Sequence, residues 1–401
     1  MGNAVSLKEL LYQSSKNSLL MAKEYQSQSL QSQKQALYAG YLPKVEVGYT
    51  YAEFENPDIF YPKNANGLYV EASWLLFDGL KREGKIAMEE YKIQSSKFQT
   101  QATQEQVYLQ IIQAYFQALI VESKINALKY QQKELEESIT KYQILVRSQL
   151  APEDTLEAIR ASFSQNAYQL ENASIALRAY KERLGLLSGS EVDSVDFNTQ
   201  LKPIDVSKET RDTFALQSKF YQIKSMQKMT SQYTYFPTIT LYNRYTNFDY
   251  RDRNIPALPF HFALQEPKYQ NVFRINVSMT IFDTLSLFKQ RESSKLLALA
   301  ANSEYFYQKD AQKREQIIAK NALSAAKEKI KWAKSSLDSA SIAYTYAKEK
   351  FNAELIDYTQ YLKSLSLLLN AQSFYHESQF DYEIKKAEFL FNSGESLSDY
   401  L

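Results

Sequence analysis

Two stretches of this chain leave little choice of backbone: 85–151 and 284–393 contain neither Gly nor Pro. Their content is Gln, Lys, Glu, Ala, Leu and Tyr, which predicts helix nearly throughout. A helix of about 70 residues starting near Asp78 would reach roughly 105 Å at 1.5 Å per residue, several times the length usual in a globular domain.

The two stretches are copies. Phe77 and Phe282, Leu150 and Leu355, and Gly189 and Gly394 all stand 205 positions apart, so no net insertion separates the helical arms. Each arm follows a similar corner, Trp74-Leu75-Leu76-Phe77-Asp78-Gly79-Leu80 and Met279-Thr280-Ile281-Phe282-Asp283-Thr284-Leu285. Asp78 and Asp283 suit a helix N-terminus, where a carboxylate accepts from free backbone N–H groups.

Before each corner the period changes to two. Val45, Val47, Tyr49 and Tyr51 alternate with Glu46, Gly48, Thr50 and Ala52; Leu68, Val70, Ala72 and Trp74 alternate with Tyr69, Glu71 and Ser73. In the second half a less regular strand runs from Ile239 and Leu241 through Tyr250. After it Phe273, Ile275, Val277, Met279 and Ile281 alternate with Arg274, Asn276, Ser278 and Thr280. Such alternation sorts side chains onto the two faces of a strand. The second hairpin loop, with Pro256, Pro259 and Pro267, holds the main length difference between the halves, as expected where insertions collect.

The chain therefore divides into two tandem repeats of helix, strand, strand, long helix and helix, an α+β architecture. The first repeat covers 1–189, with a helix stopped by Gly40 and Pro43, a hairpin at about 44–77, a long helix at about 78–147 and a helix at about 152–187. A linker follows at 190–207. The second repeat covers 208–401, with a helix to about Tyr233, a hairpin at about 238–282, a long helix at about 284–352 and a helix at about 356–392. Shorter helices stacked end to end could cover each long one. Ile125, Leu128, Gln132, Leu135, Ile139, Tyr142 and Val146 step by alternating threes and fours, as do Ile330, Ala333, Leu337, Ala340, Tyr344, Ala347 and Phe351. That 3.5-residue period is a helix-packing seam.

Composition removes several functions. With 47 basic and 46 acidic residues, no field draws the chain to nucleic acid. No cysteine is present, which excludes disulfides, thiolate metal sites and thiol nucleophiles. The two histidines, His261 in a Pro-rich loop and His376 on a helix, read as surface residues, so no metal site is expected. No phosphate loop or nucleophile motif appears, and neither a catalytic site nor a cofactor is expected. No run of 18 apolar residues provides a helical membrane span, though a β-barrel wall gives a far weaker signal. The start lacks a basic-then-apolar signal peptide and is read as a processed chain.

The four strands are long enough to cross a bilayer at a barrel tilt. Four cannot close, and an open edge in hydrocarbon costs several kcal/mol for each unpaired group. A membrane barrel would have to be shared, with eight strands in a dimer or twelve in a trimer. Aromatic residues crowd the strands and loops: Tyr49, Tyr51, Phe54, Phe60, Tyr61, Tyr69, Trp74, Tyr242, Tyr245, Phe248, Tyr250 and Phe260. Two readings stand, an interfacial girdle and plain strand propensity.

Tyr41-Leu42-Pro43-Lys44-Val45 and Tyr235-Phe236-Pro237-Thr238-Ile239 lead into the hairpins, with the junctions marked by Pro43, Pro237, Phe77, Asp78, Phe282 and Asp283. Trp74-Leu75-Leu76-Phe77-Asp78-Gly79 leads out, and Leu150-Ala151-Pro152 and Leu355-Ile356-Asp357 turn between helices. In this order and spacing the chain resembles the TolC-like outer-membrane efflux channels of Gram-negative bacteria, over nearly its whole length. The resemblance implies a homotrimer with a 12-stranded outer-membrane β-barrel continuous with a long periplasmic α-helical barrel. It implies a passive duct of a tripartite efflux or type I secretion system, with outer-membrane lipid around it. Its partners would be a periplasmic adaptor and an inner-membrane transporter.

By the resemblance, the adaptor-contacting tips are Arg147, Ser148, Gln149 and Leu150, with Ala353, Glu354 and Leu355. Many members have a Val-Gly-Leu-like step there. Both Gly are absent here, so either the turn or the partner it meets differs. Some members narrow the tip with Asp rings, whose positions here are Gln360 and Lys363. Glu153, Asp154, Glu157 and Asp357 remain as tip acids, readable as a gate or as an ordinary acidic helix start. The competing class is a soluble scaffolding coiled-coil protein whose hairpins merely cap the arms.

Overall fold

The computed structural model describes residues 5–56, 63–207, 211–251, 268–283 and 285–401. Phe60, Tyr61, Phe260, His261, Pro256, Pro259, Pro267 and Thr284 lie outside them. The helices are α1 (Leu7–Gln13), α2 (Ser18–Ala39), α3 (Lys81–Arg147), α4 (Glu153–Ser188), α5 (Phe214–Met229), α6 (Ser286–Asn352) and α7 (Tyr358–Asn392). The strands are β1 (Lys44–Glu53), β2 (Asn64–Phe77), β3 (Thr238–Arg251) and β4 (Tyr269–Ser278). The long helices α3 and α6 are each 67 residues.

The N-terminal helix breaks where one continuous helix was expected. Asn17 interrupts it: its Oδ1 accepts the Leu19 N–H at 2.8 Å, while its Nδ2 donates to the Leu187 carbonyl at 2.9 Å. A side chain that competes for backbone groups in this way ends one helix and starts another.

The chain divides into two compact units. The first comprises Met1–Tyr25, Lys97–Gln217 and Phe306–Leu401. Its core centres on α3, where Ile111, Ile112, Tyr115, Phe116 and Leu119 are fully buried among Leu7, Leu10, Leu184, Ile384 and Leu390. Each such side chain contributes about 1.5–3 kcal/mol by leaving water. The stretch between the repeats joins this core through Val192, Val195 and Leu201, and the Tyr115 hydroxyl donates to the Asp196 carbonyl at 2.8 Å. The predicted seam is inside: Ile125, Leu128, Leu135 and Ala340 are buried and the other seam positions are half-buried.

The second unit, Gln26–Ser96 and Ser218–Tyr305, carries one antiparallel sheet in the order β1-β2-β3-β4. The pairing puts Val47 opposite Val70, Val70 opposite Tyr245, and Leu241 opposite Ile275. Val45, Val47, Tyr49, Leu68, Val70, Ile275 and Val277 thus share one face, and all are exposed. Within the sheet β1 and β4 each have a neighbour on one side only, so both outer edges are open. No described helix is long and apolar enough to cross a membrane.

Candidate functional site

In the first unit both long helices end in the same turn. Past Arg147 the Leu150 N–H donates to the Leu145 carbonyl at 2.8 Å and the Gln149 N–H to the Val146 carbonyl at 3.0 Å. Past Asn352 the Leu355 N–H donates to the Lys350 carbonyl at 2.8 Å and the Glu354 N–H to the Phe351 carbonyl at 3.0 Å. This double bond pattern is the Schellman motif, which places one residue in the left-handed region. Gln149 and Glu354 occupy it, each at φ 59°. A non-Gly residue there costs about 1–2 kcal/mol. Both turns thus form without a glycine in the left-handed position.

The turns present apolar residues to solvent, with Leu150 75% and Leu355 73% exposed. Arg147, Ser148, Gln149, Ala353 and Glu354 are exposed beside them. The next helices start differently. Asp357 caps α7, its carboxylate accepting the Gln360 N–H at 2.8 Å, whereas Pro152 at the start of α4 offers no side-chain cap. The predicted gate residues Glu153, Asp154, Glu157, Asp357, Gln360 and Lys363 are all exposed, and Glu157 pairs with Arg160 at 2.6 Å.

Below the turns lies an aromatic cluster that the sequence reading did not single out. Phe351 stacks on Tyr361 at 4.8 Å between ring centres, and Tyr142 lies 5.1 Å from Tyr358. The Tyr361 hydroxyl donates to Glu134 at 3.2 Å and lies 3.2 Å from the Tyr344 hydroxyl, tying α3, α6 and α7 together. Burial pushes Tyr358 up to about 12. Burial also raises Tyr361, and its bonds to Tyr344 and Glu134 add to that shift. Spacing offered one signal: Tyr358 and Tyr361 sit three apart on a helix, and Phe351 recurs in the packing seam.

In the second unit the strand-to-helix corners differ. Helix α3 begins at Lys81, and Asp78 does not cap it as expected: its Oδ1 is buried without a hydrogen-bond partner among the described residues. Gly79 and Leu80 take positive φ of 75° and 66° and turn the chain first. Asp78 instead lies 3.9 Å from the guanidinium of Arg82, a side chain only 6% exposed. Arg82 donates to the Gly40 carbonyl and, at 2.9 Å, to the Leu75 carbonyl, and its guanidinium sits 3.9 Å above the Tyr41 ring. The Trp74 indole N–H donates to the Tyr41 carbonyl at 2.7 Å. One buried cation thus joins the end of α2, the end of β2 and the start of α3. The i,i+4 spacing of Asp78 and Arg82 was its sequence signal.

At the second corner Asp283 behaves as predicted, its carboxylate accepting the Leu287 N–H at 2.7 Å. Leu285 repeats the positive φ of Leu80 at 67°, but Leu287 stands where Arg82 would be. Phe77 is half-buried while its counterpart Phe282 is 78% exposed. Pro43 and Pro237 precede β1 and β3 immediately, where a missing N–H costs no ladder bond.

No family model and no curated protein sequence matches the chain. Solved structures do. The CmeC outer membrane channel of Campylobacter jejuni is 16% identical with a TM-score of 0.80, the match covering 97% of this chain and 85% of that one. The outer membrane protein VceC of Vibrio cholerae is 12% identical with a TM-score of 0.79, covering 98% of this chain and 96% of that one. The open state of the MtrE outer membrane channel of Neisseria gonorrhoeae is 13% identical with a TM-score of 0.78, covering 98% and 89%. The fold is that of these outer-membrane proteins.

Proposed function

We propose that this chain is one of three identical subunits of a passive exit duct in the outer membrane of a Gram-negative bacterium, spanning into the periplasm. One observation carries the reading: a four-stranded sheet with two open edges has a face rich in exposed apolar side chains, Val47 and Val277 among them, interrupted by Asn243, Asn247 and Asn271. In hydrocarbon such edges must be paired by further strands, and an apolar face belongs against lipid. Three copies supply twelve strands, within the range of known membrane barrels. The fold shared with outer-membrane channels supports the same arrangement.

The Leu150 and Leu355 turns serve as the docking points for a periplasmic adaptor, through which an inner-membrane transporter supplies the energy of efflux or type I secretion. The leucines of these turns are exposed apolar surface that docking would remove from water. The purified protein in planar bilayers should give discrete conductance steps. Leu150→Asp together with Leu355→Asp should leave those steps intact and abolish in-cell cross-linking of the tip to the adaptor. A protein that never conducts contradicts the duct, and unchanged cross-linking in the double variant contradicts docking through these turns.

A further inference from the structure

The face of the sheet opposite the apolar one holds a set of charges with an uneven balance. The register places Lys44, Glu46, Glu71, Arg244 and Arg274 together on that face, in two neighbouring rows: Glu46, Glu71 and Arg244 in one, Lys44, Tyr242 and Arg274 in the next. Four of the five are matched. Lys44 pairs with Glu46 at 2.8 Å, and Arg244 with Glu71 at 3.8 Å. Among the described residues Arg274 has no carboxylate partner; its guanidinium lies 5.8 Å from the Tyr242 ring.

This group is built rather than incidental. Gly48 leaves open the space that the Tyr69 ring fills, since a Cβ at Gly48 would lie 2.4 Å from that ring. Arg244 lies 3.8 Å above the same ring and the Tyr242 hydroxyl donates to Glu71 at 2.9 Å. Planar guanidinium on an aromatic face keeps its charge and a fixed orientation. Each chain therefore holds one uncompensated positive charge on this face, at Arg274, next to a braced Arg244.

On the duct reading above, the polar face lines the bore, and we infer that Arg274, backed by Arg244, forms a cationic belt there that selects anions. A ring of like charges in a narrow bore with low-dielectric walls concentrates counter-ions and disfavours co-ions. The solutes favoured are small anions and the anionic groups of larger cargo.

The test is the reversal potential of the full-length protein in planar bilayers under a potassium chloride gradient. Wild type should be anion-selective. Arg274→Gln should shift the reversal potential toward that of potassium and Arg274→Glu should shift it further, with Arg274→Lys close to wild type. The difference between wild type and Arg274→Gln should shrink from about 0.1 M to about 1 M salt, as the Debye length falls from about 10 to about 3 Å. Conducting variants with the wild-type reversal potential overturn the belt and leave the duct standing. That result is also the one expected if Glu46 of an adjacent copy neutralises Arg274. A wild type with no conductance overturns the belt and the duct together.

Discussion

At the residue scale the most informative positions are those where side chain and backbone disagree. Gln149 and Glu354 hold left-handed conformations that glycine adopts without strain. Replacing either by Gly should therefore raise stability by about 0.5–1 kcal/mol in thermal unfolding, the relief of strain exceeding the added chain entropy. A destabilised Gln149→Gly protein would contradict the Schellman assignment. At the first corner Arg82→Ala should cost about 3 kcal/mol in denaturant unfolding, because it leaves Asp78 and the Gly40 and Leu75 carbonyls without their buried cation. Leu287→Ala at the matching position should cost less. Sequence reasoning located both corners but misread the first. It assigned Asp78 to the helix N-terminus from residue type alone, and only coordinates turn that carboxylate toward the Arg82 guanidinium instead of the helix's free N–H groups.

At the element scale the strands make the sharpest prediction. Val277→Arg on the apolar face should cost about 2–4 kcal/mol in a detergent-folding assay if it lies near mid-bilayer, and Asn276→Arg on the other face should be mild. Equal tolerance at the two sites would contradict a lipid-facing sheet. The tyrosine cluster predicts a pH response of definite sign. Tyr358 and Tyr361 are raised above the ordinary value near 10 by burial, so their contribution is fully present below that pH. It is lost as pH rises through about 12 for Tyr358, once the unfolded phenols ionise and the folded ones resist. An ultraviolet titration should show these phenols ionising late, and Tyr358→Phe with Tyr361→Phe should reduce the late phase, leaving the share of Tyr41, which its bond to Glu83 also raises to about 12. The alternation of Val45 to Tyr51 and Phe273 to Val277 was legible because sheet geometry leaves only two faces. The register across strands was not, nor was the break at Asn17, since each depends on partners distant in sequence.

At the scale of the whole molecule the duplication is written more strongly in backbone than in side chains. Leu80 and Leu285, Gln149 and Glu354, and Gly189 and Gly394 are positive-φ pairs 205 positions apart, although one pair shares no residue type. Helices α3 and α6 have equal length for the same reason. The sequence made this repeat legible through Gly- and Pro-free arms and recurring corners. The cross-strand network of Tyr69, Glu71 and Arg244 was not legible, because Arg244 lies on β3, which only the register joins to Tyr69 and Glu71 on β2. The account rests on the open edges of β1 and β4 being paired by other copies of the chain. The direct test is the mass of the purified protein in detergent, by light scattering corrected for bound detergent, beside a sample from which detergent has been removed. The account predicts a trimer that precipitates when detergent is withdrawn. A soluble monomer would contradict it and would place the sheet's apolar face in water.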